Sequence, residues 1–408
     1  MGAGGLRRFA PPLTRGLLGR PPFGDGTASI ALLVAITMTG TLAMHIFVPA
    51  LPAAGHDLGA SPAAMQLTIT LYLVGLAAGQ LVYGPVSDRF GRRPVIIASL
   101  LLYLVGFCLA VPAASIGGLV VARVLQSLGG CGSLVIGRAM VRDVSTGQDA
   151  ARQLALLTMA MSMTPALAPA LGGVIDGFFG WRAIFVALAL LVAILLAFVI
   201  LTLPETNRSP IAIPGIRAIL GGYGRLARSA KFRRYVVAGS CGGTSLYAFL
   251  AVAPFLIGTL LGRSSQEVGL WCLFVTVGMA VGSALVRVVA GRYEVRVAAQ
   301  RGNFVCLGSA VVLTGLILAG SFSIWTLVLP LFCYAIGVGI MGPNAVAGLM
   351  NVDPSAAGSA SSLYGFVAMG FGACFTIPVA IFHDSGALPM ALTLLVASSF
   401  AAVALHRV

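Results

Sequence analysis

A segment between two long apolar runs, GPVSDRFGRRP at 84–94, holds three arginines and an aspartate. Asp88 can pair with arginine or accept hydrogen bonds from a helix N-terminus. Gly91 can adopt the positive φ that a tight reversal needs. Two or three arginines would be enough to hold such a loop on one side of a membrane. The glycine and the aspartate at these offsets are not needed for that and therefore indicate a further role.

Two other ionisable residues lie inside apolar runs. His45, in MHIFVPALP, precedes Leu51 by six residues. If the first helix ends at Leu51, His45 lies about 9 Å below that end. Imidazole titrates near pH 6.5, so His45 could carry a proton. The alternative is a neutral histidine that makes one hydrogen bond between helices.

Arg123 lies in ARVLQSLGG, about 10 Å from the start of the expected fourth helix. Gln126, three residues on, shares its helix face. The guanidinium either extends to the membrane surface or faces a cavity. Because His45 and Arg123 are expected at similar depth, we hypothesise that they face each other. Desolvation and like charge would then disfavour protonation of His45.

The eleven acidic residues all lie in loops or at helix ends by the expected boundaries. A cavity with an arginine and no carboxylate favours neutral or weakly anionic ligands over organic cations. Ligand cavities need apolar walls with a few polar groups. For five candidate substrate contacts, ordinary helix packing is the alternative: Gln66, Thr70, Tyr247, Asn344 and Tyr364.

The whole chain has the composition of a membrane protein. Of its 408 residues, 59% are hydrophobic and 9% charged, and the mean hydropathy is +1.01, whereas soluble domains carry about 25% charged residues. Apolar runs of about 20 residues can each cross a bilayer as a helix. We predict an all-α membrane protein with twelve helices at 29–51, 63–86, 94–112, 116–140, 151–175, 181–203, 235–260, 267–290, 298–320, 324–349, 357–382 and 386–405.

The expected helices form two sets of six. A basic connection at 204–234 separates them, and GQLVYGPVSDRFGRR at 79–93 is echoed faintly by GSALVRVVAGRYEVR at 282–296. Two parallel repeats facing one cavity would produce this pattern. We therefore predict four parts: a disordered cytoplasmic tail at 1–27, a six-helix bundle at 28–203, a cytoplasmic linker at 204–234 and a second bundle at 235–408.

Basic residues predict the orientation. With a cytoplasmic N-terminus, all but three of the 25 lysines and arginines lie inside, the exceptions being Arg123, Arg182 and Arg263. This asymmetry follows the positive-inside rule and accounts for the net charge of +14 without nucleic acid. We find no metal-ligand spacing and no nucleophile–base pair. We expect no enzyme activity and no cofactor, but a monomer that contacts lipids, protons and a small-molecule substrate.

The loop motif resembles the signature of the major facilitator superfamily. The residues that carry the match are Gly84, Asp88, Arg89, Gly91, Arg92 and Arg93. In that family the loop acid and arginines form a cytoplasmic latch that stabilises the outward-open state. The resemblance implies that Asp88 and Arg92 are latch residues. Asp143, at the inner end of the fourth helix, is their expected partner.

Further segments are similar to the bicyclomycin and chloramphenicol resistance branch, the Bcr/CflA type. They include VPALP at 48–52, LPET at 203–206 and HDSGALPMAL at 383–392, and the resemblance spans about 28–405. It implies a drug:proton antiporter of the bacterial inner membrane that works by alternating access. In that branch an aspartate occupies the position of His45, and the fourth-helix arginine, here Arg123, faces the cavity and takes part in proton coupling.

A motif in the expected fifth helix also matches the pattern of the family in part. MTPALAPALGG contains Pro165, Pro169, Gly172 and Gly173, but Ala168 replaces the glycine that usually precedes the second proline. Two alternatives to drug export remain. One is import or export of a small carboxylate metabolite, with Arg123 pairing the carboxylate. The other is a receptor or scaffold, which predicts an extramembrane domain that the sequence does not show.

Overall fold

The computed structural model describes residues 30–145, 147–207, 216–289, 294–353, 357–382 and 385–406. Within these ranges the chain is helical apart from short connections. The expected tail at 1–27 and Asp384 lie outside the described residues.

Among the described residues, the first half of the chain contains seven helices and the second half contains eight. Those of the first half are α1 (Ile30–Ile46), α2 (Leu51–Asp57), α3 (Pro62–Phe90), α4 (Arg92–Ala110), α5 (Ile116–Val144), α6 (Gly147–Phe179) and α7 (Trp181–Thr202).

Those of the second half are α8 (Ile216–Arg228), α9 (Ala230–Thr244), α10 (Leu246–Ala253), α11 (Ser265–Val289), α12 (Val295–Leu318), α13 (Ile324–Met350), α14 (Ala357–Ile381) and α15 (Leu388–His406). A π-helical segment, Pro254–Leu260, extends α10.

These helices confirm the prediction of an all-α membrane fold. The pairs α1–α2 and α9–α10 each form one span, and eleven spans among the described residues are long and apolar enough to cross a bilayer. The apolar part of α6, Met163–Phe179, is shorter. All twelve predicted helices therefore have a counterpart. Spanning segments are helical because a helix satisfies its own backbone hydrogen bonds in lipid.

The first span is longer than the sequence suggested. A 3-10 turn, Val48–Ala50, joins α1 to α2, so the span runs from Ile30 to Asp57. Each proline of the VPALP segment lies in the first turn of a new helical segment, where its missing N–H costs little. His45 is twelve residues from Asp57, or about 18 Å. The helix end expected at Leu51 was therefore wrong, whereas the depth of His45 in the membrane stays a prediction.

The linker contains a helix that the sequence reading missed. We expected 204–234 to be only a basic connection, but α8 occupies Ile216–Arg228. Its Leu226 is buried in the core of the second half. Arg225 and Arg228 lie in its last turn, where cations interact favourably with the helix dipole. The helix in this polar segment is stabilised by the packing of Leu226 and by the two arginines in its last turn.

Each half has its own hydrophobic core. One cluster is built almost entirely from α1–α7, and the other from α8–α15. The halves meet where α3 packs on α14 and where α6 packs on α11. Below, the Arg92 end is the end where α3 meets α4, and the Asp57 end is the opposite one.

Candidate functional site

Arg123 lies in a closed corner between α1, α4 and α5. Its side chain is fully buried. Nη1 donates to the Ala43 carbonyl at 2.9 Å and to Gln126 Oε1 at 2.9 Å. Gln126 Nε2 in turn donates to the Gly106 carbonyl at 3.0 Å. The i, i+3 pair expected from the sequence thus forms, and it ties α5 to both neighbouring helices.

Aromatic rings cover the rest of the guanidinium. Its central carbon lies 4.3 Å from the ring centroid of Tyr72 and 5.4 Å from that of Phe47. The Tyr72 hydroxyl donates to the Gly40 carbonyl at 3.2 Å, which fixes the ring. No ion pair among the described residues includes Arg123. Carbonyls and aromatic faces therefore stabilise this buried cation, with a cation–π gain of about 2 kcal/mol at a desolvated site.

His45 is buried at the boundary between the halves. Its Nδ1 lies 2.7 Å from the Thr41 carbonyl, and because a carbonyl only accepts, Nδ1 carries the proton. Nε2 has no hydrogen-bond partner among the described residues. The ring centroid is 5.9 Å from that of Tyr247 in α10. His45 therefore presents a free basic nitrogen next to a residue of the other half.

His45 and Arg123 lie at the same level of the first span. Arg123 binds the carbonyl of Ala43, two residues before His45. This contact agrees with the similar depth expected for the two residues from the sequence. The influence of Arg123 on the protonation of His45 stays a prediction.

At the Arg92 end the structure brings the expected latch residues together. Arg92 Nη1 lies 2.6 Å from Asp88 Oδ1, and its Nε donates to Asp143 Oδ2 at 2.9 Å. Nη1 also donates to Ser87 Oγ at 2.6 Å. Gly91 alone connects α3 and α4, with φ of 94°. The arginine is largely buried between two carboxylates, whereas Asp88 stays half-exposed.

The sequence reading missed a third acid in this network. Glu205 follows α7, and its carboxylate accepts from the backbone N–H groups of Arg92 and Arg93 at 2.9 and 3.1 Å. These are free donors of the first turn of α4, where a carboxylate interacts favourably. The LPET segment marked this region, but only as a family feature.

Two other motif residues occupy the edge of the network. The Arg89 guanidinium lies 5.1 Å from the Phe90 ring centroid, and Arg93 Nη2 donates to the Ile200 carbonyl at 2.7 Å. A Cβ added to Gly84 would lie 3.8 Å from Ser362 Oγ of α14. Gly84 thus lies where the two halves approach each other.

The α6 motif forms a close contact at the level of the Asp57 end. Pro165 and Pro169 lie inside the helix. A Cβ on Gly172 would meet the Ile46 carbonyl oxygen at 1.7 Å, and a Cβ on Gly173 would meet that of Ser265 at 2.3 Å. The glycine pair therefore lets α6 touch α1 on one side and α11 of the other half on the other.

The five candidate substrate contacts have different hydrogen-bond partners. Thr70 hydrogen-bonds Thr376 of α14 at 2.7 Å, and Tyr247 packs on α14. Asn344 Nδ2 donates to the Ile340 carbonyl of its own helix at 2.8 Å. Tyr364 donates to the Gly239 carbonyl at 3.3 Å. Gln66 is fully buried, and neither atom of its amide has a hydrogen-bond partner among the described residues.

A cavity of about 490 Å³ lies at the Arg92 end, between α3, α5, α8 and α14. Asp88 and Asp143 line one side, and Ser359 and Ser362 of α14 line the other. Tyr223 of α8 lies at its edge, and burial raises the pKa of this phenol. Tyr223 therefore stays protonated near neutral pH, and its hydroxyl hydrogen-bonds the Ser362 side chain.

The part of the chain that the structure describes contains no group of three His, Cys, Asp or Glu residues able to hold a metal ion.

Comparison with known proteins gives one family. The model of the Major Facilitator Superfamily matches residues 31–404. The chain is 30% identical to multidrug resistance protein D of Escherichia coli over 341 residues, covering 82% of this chain and 84% of that protein. It is 31% identical to a chloramphenicol resistance protein of Pseudomonas aeruginosa over 353 residues, covering 83% and 80% of the two chains.

Among solved structures, a D-xylose-proton symporter superposes with a TM-score of 0.71. The alignment covers 91% of this chain and 96% of that chain at 14% identity. Similarity at this identity shows a shared fold.

Proposed function

The chain belongs to the major facilitator superfamily, and we propose that it exports small amphipathic compounds, neutral or weakly anionic, in exchange for protons by alternating access. Two relatives named for drug resistance support export of drug-like molecules. We place the protein in a bacterial inner membrane as a monomer surrounded by lipid, with both termini in the cytoplasm. This orientation puts the Arg92 end inside and the Asp57 end outside.

The observation that carries the proton-coupling proposal is the free Nε2 of His45. A proton that binds this atom converts a neutral ring into a second cation at the level of Arg123. Repulsion between these like charges then favours movement of the ring or loss of the proton. Because the ring lies beside Tyr247 of the other half, its protonation state acts on a contact between the halves.

Contacts at the two ends of the molecule support the proposal that this conformation is open towards the cytoplasm. At the Asp57 end, α6 and α11 approach within backbone contact at Gly173. At the Arg92 end, the cavity separates Asp88 from the first turn of α14. When the halves rock together at this end, Asp88 approaches the N-terminal N–H groups of α14, which attract a carboxylate. The network of Asp88, Arg92 and Asp143 would then stabilise the outward-open state.

Chloramphenicol accumulation in an efflux-deficient bacterial host tests this proposal. Cells expressing the chain should accumulate less drug than control cells, and a protonophore should abolish the difference. A His45→Gln variant, which keeps a hydrogen-bond donor for Thr41, should lose most of the proton-driven part. Thr393→Ser, a change in α15 far along the chain from His45, is the matched control.

Unchanged accumulation would contradict export of this compound, and protonophore-resistant export would contradict proton coupling. Strong resistance to a cationic dye such as ethidium would contradict the preference for neutral or weakly anionic substrates.

A further inference from the structure

Arg123 is closed to substrates in this conformation. Its side chain is fully buried, two carbonyl-type oxygens accept from Nη1, and two aromatic rings cover the guanidinium. An anionic substrate would have to displace these contacts to reach it. Nε and Nη2 of Arg123 have no hydrogen-bond partner among the described residues, so the expectation that Arg123 pairs a substrate carboxylate stays a prediction for another conformation.

A different arginine on the same helix is open. Arg138 lies fifteen residues after Arg123 in α5, about 22 Å closer to the Arg92 end, and it is partly exposed. Its guanidinium Nη2 lies 3.5 Å from Met161 Sδ, and a thioether is only a weak acceptor. None of the ion pairs among the described residues includes Arg138.

Arg138 lies next to the space between the halves. Val135 and Ala139, its neighbours on α5, line the cavity at the Arg92 end. Ser362 of α14, two residues before Tyr364, lines the same cavity from the other half. The Tyr364 hydroxyl makes only a 3.3 Å bond to the Gly239 carbonyl, so it can turn to a better acceptor.

A cation inside a membrane span is costly unless it faces water, a carboxylate or another partner. Arg92, in the same half, has two carboxylates. Among the described residues, the acceptor found for the Arg138 guanidinium is the Met161 sulfur instead. This difference fits an arginine whose anionic partner arrives and leaves during each transport cycle.

We propose that Arg138 and Tyr364 form the anion-recognition contact of the translocation path, and that they bind the carboxylate of an amphipathic aromatic compound. The guanidinium donates to the carboxylate as a fork, the Tyr364 hydroxyl adds a donor from the other half, and the aromatic body packs on Val135, Ala139 and Met161. This assignment rests on the proposed transport function and names its substrate class. Arg138 is assigned the role that sequence reasoning gave to Arg123.

Arginine modification of the purified full-length protein in lipid nanodiscs tests the assignment without transport. The reagent is p-hydroxyphenylglyoxal, and mass spectrometry of peptides gives the labelling rate of each arginine. Salicylate is the probe anion, and salicyl alcohol is its neutral analogue. Arg138 should be labelled, and salicylate should slow this labelling about tenfold, the effect of one charged hydrogen bond.

Salicyl alcohol should leave the rate unchanged. Arg123 should stay unlabelled, and the exposed Arg228 of α8 should react at the same rate under all conditions. The proposal is overturned if Arg138 does not react, if salicylate fails to protect it, or if the neutral alcohol protects equally well.

Equilibrium dialysis with labelled salicylate gives an independent measurement. Arg138→Gln should raise the Kd about tenfold, and Arg138→Lys should raise it less, because lysine keeps the charge but loses the fork. Arg228→Gln is the matched control. An equal Kd in wild type and Arg138→Gln would overturn the proposal. Failure of chloramphenicol export would overturn the drug-export proposal alone, since neither measurement here depends on transport.

Discussion

The two halves of the molecule bury different polar groups at corresponding places. Helices α5 and α13 both begin after a serine whose side chain accepts from the backbone N–H three residues on, Ser115 in one and Ser323 in the other. The eighth residue of α5 is Arg123, and the eighth of α13 is Leu331. Both are fully buried.

Neutral groups take the place of this charge in the second half. Tyr334 and Ser245 share a hydrogen bond at 2.9 Å between their hydroxyl groups, and Asn303 Nδ2 donates to the Ser398 carbonyl at 3.0 Å. Such bonds hold helices together without an unpaired charge. A buried cation costs more than neutral packing requires. The comparison therefore supports our proposal that the charge needed for proton coupling lies in the first half.

The partners of arginine at the ends of the two halves also differ. Arg92 binds two carboxylates, whereas Arg296 Nη2 in the second half donates to the His406 carbonyl at 2.9 Å. A carboxylate can exchange one partner for another during a transport cycle. A main-chain carbonyl at a helix end holds that helix end in place.

The largest expected effect comes from Arg123→Leu, which gives α5 the residue of α13. Export should be lost, because the proposed proton coupling depends on the charge beside His45. The Ala43 carbonyl and Gln126 Oε1 lose their donor, which costs about 1–3 kcal/mol for each group left unsatisfied. Export assays and thermal unfolding in detergent measure both effects. Leu331→Met in α13 is the control, and export equal to wild type in Arg123→Leu would refute the proposed coupling role.

The second effect concerns the latch. Arg92→Gln removes two ion pairs and should lower the free energy of unfolding by about 1.5–3 kcal/mol, the value of a hydrogen bond to a charged group. Export should fall because the outward-open state loses its support. Arg296→Gln should change little.

A double-mutant cycle of Arg92→Gln with Asp143→Asn, read out by thermal unfolding and export, isolates the interaction. Strictly additive effects would mean that the 2.9 Å contact contributes no coupling.

A third and smaller effect is expected at His45. His45→Gln should fold with near-normal stability, because glutamine can still donate to the Thr41 carbonyl. Wild-type export should increase as the external pH falls, because the steeper proton gradient drives proton entry. The variant should lose this dependence on pH. Export from proteoliposomes across a series of pH gradients measures it. An unchanged pH profile in the variant would assign proton coupling to another group.

The smallest effect is expected at Tyr334. Tyr334→Phe removes one neutral hydrogen bond in the second half and should cost about 0.5–1.5 kcal/mol in stability. Export and its pH dependence should stay unchanged. A loss of proton coupling in this variant would show that the second half also takes part, and the contrast between the halves would fail.

Much of the candidate site could be predicted from the sequence because its signals are local. Asp88, Gly91 and Arg92 lie within five positions, and Gln126 lies one helical turn from Arg123. Spacing places such residues on shared faces before any packing is known. The long helices follow in the same way from apolar runs, since every backbone group in lipid must be satisfied within its own segment.

Contacts between distant segments were decided only by the tertiary structure. Glu205 reaches the N-terminus of α4 from more than 110 positions away, and Tyr247 reaches His45 across the boundary between the halves. The sequence identified the arginines, but not that aromatic rings enclose Arg123 while Arg138 is partly exposed. Charge and hydropathy set where helices form and which way they cross the membrane. Burial and partnership depend on which helices meet, and that is a property of the packed bundle.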